Sequence, residues 1–202
     1  MTSVRLYGIA ALNGESHSIP AGTDVVTFKD VAAVVANAPY TKIEPDEQAH
    51  AQHHDIIEKI FDYHAVIPAP VGVVFRTRDA LLRWLELHYF TLSDGLAFVE
   101  GRCVARVHIV DREDERDVGD RRLLGSELFR ELRREAAAAL PLKREEESPD
   151  DEILRAAFLL ERSRWDHFRS RALGEEKRHA GVDVSVTGPW PPYDFVRLSF
   201  SR

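Results

Sequence analysis

ILRAAFLLERSRWDHFRSRAL (residues 153–173) admits two readings, and the fold of the second half of the chain turns on which one holds. As one helix, the stretch carries apolar residues at helical spacing along its length. As a strand followed by a helix, AAFLLE (156–161) is short and apolar enough to be buried in a sheet, and Ser163 is an N-cap for a helix from Arg164 onward. Periodicity alone does not separate the two.

The flanking segments narrow the choice of fold class. Downstream, Val182–Val186 alternates apolar and polar residues, and Asp194–Phe200 alternates again, as half-buried strands do. Upstream, LKREEESPDDE (142–152) is a charged connector with little to bury, and SELFRELRREAAAAL (126–140) predicts a helix capped by Ser126 and stopped by Pro141. DREDERDVGDRR (111–122) interleaves both charges and reads as a solvated loop. Phe98–Val110 predicts a long strand with Val99, Cys103, Ala105, Val107 and Ile109 mostly on one face.

The first half opens with an apolar strand, Val4–Leu12, that contains Gly8, then a loop from Gly14 to Gly22. Val25–Phe28 and Val31–Ala36 predict two strands broken at Lys29–Asp30, followed by a linker at Pro39–Pro45. A helix starts near Asp46 and runs through EQAHAQHHDIIEKIFDYHAV (47–66) to the prolines at 68 and 70, burying a stripe of Ile56, Ile57, Ile60 and Phe61. Val71–Phe75 predicts a short strand interrupted by Gly72. A second helix, DALLRWLELHYFTL (79–92), closes at Ser93-Asp94-Gly95. The order of elements predicts an α+β protein with a boundary near Leu96, giving domains 1–96 and 97–202.

The 202 residues are 44% hydrophobic and 30% charged, the balance of a folded chain. A net charge of −7 argues against nucleic-acid binding, which needs a dense basic footprint. The single cysteine, Cys103, lies in the apolar alternation CVARVHIV and reads as a buried hydrophobe. No basic, apolar leader and no run of about 20 apolar residues is present, so the cytoplasm is the expected location.

VTGPWPPYDFV (186–196) concentrates three prolines and three aromatics. Each proline fixes φ and removes a donor, so the segment is expected to leave the preceding strand at Thr187–Gly188 and run extended and polyproline-like. Trp190, Pro191, Pro192, Tyr193 and Phe195 are then either a crossover that plugs its rings between the two halves or a stiff strip that binds a partner. His50 and His54 lie one helical turn apart, with His53, His64, Glu47 and Glu58 nearby, which raises a metal-dependent enzyme as an alternative; histidines on a solvated helix face account for the same pattern. The acidic residues Glu145, Glu146, Glu147, Asp150, Asp151 and Glu152 lack the spacing and glycine of a calcium loop. No phosphate loop and no nucleophile elbow occurs, so no catalytic residue, metal or cofactor is assigned. A small-ligand regulatory module is a further alternative. Trp84, Trp165 and Phe168 are expected to face a sheet.

TGPWPPYDFV resembles the ending of the GvpL/GvpF family of gas vesicle proteins. RLYGIAA, HDIIEKIFDYHAVIPAPVGVVF, LAFVEGRCVARVHI and AAFLLERSRWDHF resemble further family segments in the same order. Val71 and Val73 stand where the family carries phenylalanine and threonine around the glycine, and the region between the Ser126 helix and AAFLLE is shortened to the charged connector. The resemblance implies two α+β domains, the second a modified ferredoxin-like sheet with helices on one face, which makes AAFLLE a strand. It further implies a non-catalytic, structural or accessory role in building the gas vesicle, in contact with the small hydrophobic shell subunit and other accessory proteins.

Overall fold

The computed structural model describes residues 3–11, 19–41, 46–112, 116–143 and 151–200. Chain contacts divide it into two compact units: Met1–Glu100 with Pro191–Arg202, and Gly101–Trp190. The last twelve residues thus belong to the first unit, whereas the sequence alone groups them with the second half. The boundary expected at Leu96 falls inside a helix.

In the first unit, strands β1 (Val4–Ala11), β2 (Asp24–Phe28), β3 (Val31–Asn37), β4 (Val66–Pro68) and β5 (Val74–Phe75) form one antiparallel sheet in the order β2-β3-β1-β4, with β5 also on β1. The β2–β3 hairpin turns at Lys29, whose φ of 54° is left-handed. β1 is central and almost wholly buried, which is why it reads as a continuous apolar run. Its pairing with β3 slips between Leu6 and Gly8, so Leu6 and Ile9 both enter one core.

Two helices cover the sheet. α1 (Glu47–Phe61) starts at Asp46, whose carboxylate accepts the Ala49 amide at 2.7 Å. α2 (Arg78–Val99) starts at Thr77, whose hydroxyl accepts the Ala80 amide at 3.1 Å. Leu81, Leu85, Leu92 and Leu96 of α2 pack on Val4, Leu6, Ile9, Val31, Ala33 and Val35. α1 packs on the opposite face of β1, where Tyr7 meets His53 and an added Cβ at Gly8 would lie 3.0 Å from Ile57.

Three expectations in this unit need correction. α1 ends at Phe61, five residues before Val66, because Val66–Pro68 pairs with Gly8–Ala10 as β4. α2 runs straight through Ser93-Asp94-Gly95 to Val99: tertiary burial of Leu92, Leu96 and Val99 outweighs the turn propensity of those three residues. The strand expected at Val71–Phe75 is reduced to two residues, since Gly72 adopts φ 88° in a turn.

The second unit holds β6 (Arg102–Asp111), α3 (Val118–Arg133), β7 (Ala138–Pro141), β8 (Glu152–Glu161), α4 (Trp165–Leu173), α5 (Glu175–Arg178) and β9 (Val182–Trp190). Its antiparallel sheet runs β7-β8-β6-β9, so the βαββαβ chain order and the strand order are those of the ferredoxin-like fold. Phe158 of β8 lies 5.8 Å from Phe129 of α3 and 5.2 Å from Phe168 of α4, which puts both helices on one face of the sheet. AAFLLE is a strand: Ala156–Leu160 are consecutively buried, and a strand buried on both faces carries no alternation.

Three readings of this unit also need correction. The helix expected from Ser126 begins eight residues earlier, with Asp117 accepting the Asp120 amide at 2.9 Å; it ends at Arg133, because Ala138–Pro141 pairs with β8 as β7. Part of the loop read as solvated is anchored: buried Asp111 accepts from Arg116 at 2.8 Å, and Arg116 reaches the Ala180 carbonyl at 2.6 Å. Ser163 lies within a short 3-10 turn, Arg162–Arg164, and does not cap α4. The acidic residues 145–147 and 150 lie outside the described residues.

Close packing of α3 on β8 gives a stability test. A Cβ at Gly125 would meet the Ile153 carbonyl oxygen at 2.2 Å, a backbone atom that cannot step aside. At Gly95 of α2 the added Cβ would meet only the tip of the Ile67 side chain, at 2.9 Å. Gly125→Ala is expected to cost about 2–3 kcal/mol in urea unfolding, as overpacking does. Gly95→Ala should cost less, because Ile67 can change rotamer and alanine gains about 1 kcal/mol of helix propensity.

Candidate functional site

The C-terminal segment and the histidine helix, singled out separately in the sequence, meet in the first unit. β9 continues to Trp190, which pairs with Val104 across an irregularity in the ladder; the departure expected at Thr187–Gly188 does not occur. Gly188 permits the irregularity: its φ is 126°, and a Cβ there would meet the Val104 carbonyl at 2.6 Å and the Trp165 ring at 3.1 Å. The Trp190 indole donates to the Thr187 hydroxyl at 3.1 Å.

Beyond Trp190 the chain folds into a turn, not an extended polyproline run. The Tyr193 amide donates to Pro191 at 2.8 Å, and the Phe195 amide to Pro192 at 3.1 Å. Pro191 and Pro192 are buried; Trp190, Tyr193 and Phe195 are half-buried. The alternation at Asp194–Phe200 pairs with no strand among the described residues, yet it works as alternation does: Val196, Leu198 and Phe200 turn toward the core of the first unit. The Phe200 ring stacks on Trp84 at 5.0 Å and meets Phe75 edge-on at 6.0 Å.

Tyr193 closes one side of a cavity of about 480 Å³ against the first half of α1. Its hydroxyl lies 3.1 Å from His54 Nδ1, and the two rings meet edge to face at 5.4 Å. Glu47, His50, His53 and His54 contribute from α1, and Ala69, Pro70 and Val71 from the turn after β4. The lining is mostly apolar, with Glu47 and the imidazoles as its polar points. A smaller hollow of about 250 Å³ also borders Tyr193, among Pro68, Pro70, Val196 and Leu198.

His53 is only 2% exposed. Its Nε2 lies 2.9 Å from the Ala69 carbonyl, so Nε2 carries the proton and donates, leaving Nδ1 as a buried lone pair with no hydrogen-bond partner among the described residues. Burial pushes the imidazole down to about 4; the Ala69 carbonyl pulls the other way, and Arg5, His50 and His54 push it further down. His53 therefore stays neutral near pH 7 and ties α1 to the turn after β4. Sequence reasoning placed it among solvated histidines; only the i, i+3, i+4 spacing from Ile56, Ile57 and Ile60 marks it as facing inward.

Among the described residues no group of three or more His, Cys, Asp or Glu is arranged to hold a metal ion. His64 lies past the end of α1, off the helix that the metal alternative requires. Cys103 is buried, and burial pushes its thiol up to about 11, the state of an inert hydrophobe. No helix among the described residues is long and apolar enough to cross a membrane.

Two antiparallel α+β units, the second ferredoxin-like, with a proline-aromatic tail folded against a histidine-bearing helix, define the class of protein. The family model described as gas vesicle synthesis protein GvpL/GvpF matches residues 4–141 and 108–197, and the chain belongs to this family. It is 25% identical over 178 residues to gas vesicle protein F2 of Halobacterium salinarum, covering 86% of this chain and 79% of that one. It is 29% identical to gas vesicle protein L1 of the same organism, covering 71% and 68%. The crystal structure of gas vesicle protein GvpF from Anabaena sp. PCC7120 superposes with a TM-score of 0.84 at 14% identity, over 99% of this chain and 100% of that one. GvpF from Microcystis aeruginosa gives 0.76 at 14% identity, over 96% and 99%. The chain is a gas vesicle protein involved in gas vesicle formation, from a family not known to be catalytic.

The buried neutral His53 makes stability depend on acid. Its folded value of about 4 lies below the ordinary 6.5, so the unfolded chain binds the extra proton between these values. The His53 contribution is complete above pH 6.5 and is lost as pH falls toward 4, by on the order of 2–3 kcal/mol. His53→Gln keeps a donor for Ala69 and removes the titration. Its unfolding free energy is expected to fall less steeply than that of the wild type between pH 6.5 and 4, as read from urea titrations at each pH.

Proposed function

We propose that the chain acts in gas vesicle assembly by binding the hydrophobic shell subunit and other vesicle proteins, without catalysing a reaction. The observation that carries this reading is the family match, which extends from residue 4 to residue 197 and includes the proline-aromatic tail. The contact strip we assign is Trp190, Pro191, Pro192, Tyr193 and Phe195. The two prolines hold the segment stiff, so little conformational entropy remains to be lost when a partner docks. The half-exposed ring of Tyr193 borders two hollows lined largely by apolar groups, a concave surface suited to an apolar side chain.

The proposal is tested by immobilising the full chain and measuring retention of purified shell subunit and of the other vesicle proteins. Retention of the shell subunit is expected, weakened about tenfold or more by Trp190→Ala or Tyr193→Ala, which is the usual effect of removing an interface aromatic. Absence of retention for every vesicle protein would refute the function. Undiminished retention by both variants would move the contact elsewhere.

A further inference from the structure

Helix α2 buries one face in the core of the first unit and presents another to solvent. On that outer face Leu87 is 80% exposed and Phe90 is 79% exposed. Two large apolar side chains side by side on one helix are costly to leave in water and mark a contact surface. The residues in line with them are Ala80 and Arg83 toward the N-terminus, and Asp94 and Ala97 toward the C-terminus. Positions 80, 83, 87, 90, 94 and 97 are separated by alternating steps of three and four residues, the spacing of a coiled-coil seam.

The order along this seam is alanine, arginine, leucine, phenylalanine, aspartate, alanine, and it is self-complementary when read against its own reverse. In an antiparallel pair of α2 helices, Leu87 of each copy faces Phe90 of the other. Arg83 then faces Asp94, twice, and the small Ala80 faces Ala97 at either end, where the backbones can approach. Arg83 and Asp94 are exposed, and neither has an ion-pair partner among the described residues. Opposite charges on either side of an apolar centre also disfavour the parallel arrangement, which would set Arg83 against Arg83 and Asp94 against Asp94.

We propose that the outer face of α2 is an interface between two copies of this chain, joined antiparallel about a two-fold axis. Such an interface is isologous, each contact occurring twice. It goes beyond the assembly role above and uses residues far in sequence from the proline-aromatic strip. A single 22-residue helix on each side falls in the small-interface class, so the association is weak and concentration-dependent. Self-association of this kind would gather copies where the chain is locally concentrated, as on a growing assembly.

Sedimentation velocity of the full chain over a concentration series tests the proposal with charge reversals. The wild type should pass from monomer to dimer. Arg83→Asp and Asp94→Arg should each weaken dimerisation about tenfold or more, since each sets two like-charged pairs across the seam. A one-to-one mixture of the two variants should dimerise again, because one copy then carries two aspartates and the other two arginines. A wild type that stays monomeric at every concentration would overturn the proposal. So would variants that dimerise as the wild type does, or a mixture that associates no better than its components. Should Leu87→Ser weaken shell-subunit retention by a chain that remains monomeric, the face belongs to that partner and the proposal is likewise overturned.

Discussion

The contact on which the first unit depends is made by the last residues of the chain. Val196, Leu198 and Phe200 lie against the cluster built from β1, β3 and α2, and Phe200 closes an aromatic group with Trp84 and Phe75. Without them, the rings of Trp84 and Phe75 would face water at the edge of the core. Aromatic pairs of this kind contribute about 0.5–1.5 kcal/mol each beyond the area they bury. Among the described residues the Val196–Phe200 segment forms no strand, and what it brings to the core is the apolar side chains of Val196, Leu198 and Phe200.

This contact orders the rest of the site. The chain turns just after Trp190, and Pro191 and Pro192, each with a fixed φ, leave that turn little backbone freedom to lose. The turn that follows sets Tyr193 beside His54, and so shapes the cavity along α1. His53, locked to the Ala69 carbonyl, fixes the opposite wall. The stiffness of the tail and the shape of the hollow are therefore one feature. In the sequence, the second unit is an insertion between residue 100 of the first and its last twelve residues.

Much of the fold was legible where local chemistry and tertiary packing agree. Asp46 announced α1 because an aspartate ahead of a glutamate suits a helix N-terminus, and the break at Lys29–Asp30 marked the β2–β3 hairpin. Legibility failed where packing overrode local preference. Ser93-Asp94-Gly95 has turn chemistry but continues α2, and Ala138–Leu140 has helix chemistry but completes the sheet beside β8. AAFLLE is buried on both faces, so its pattern was silent and only the family resemblance decided it. Of the site, the residues of the tail and of the histidine helix were each visible, but 139 residues separate Tyr193 from His54, and nothing in the spacing brings them together.

The most direct test of the tail's role is native-state hydrogen exchange on a chain that ends at Trp190, compared with the full chain. The account predicts that amides of β1, β3 and α2 lose protection by a large factor, while the β8-β6-β9 ladder keeps its own, because Val196, Leu198 and Phe200 pack against the core of the first unit. Unchanged protection in β1 and α2 would contradict the account and reduce the tail to a passive extension.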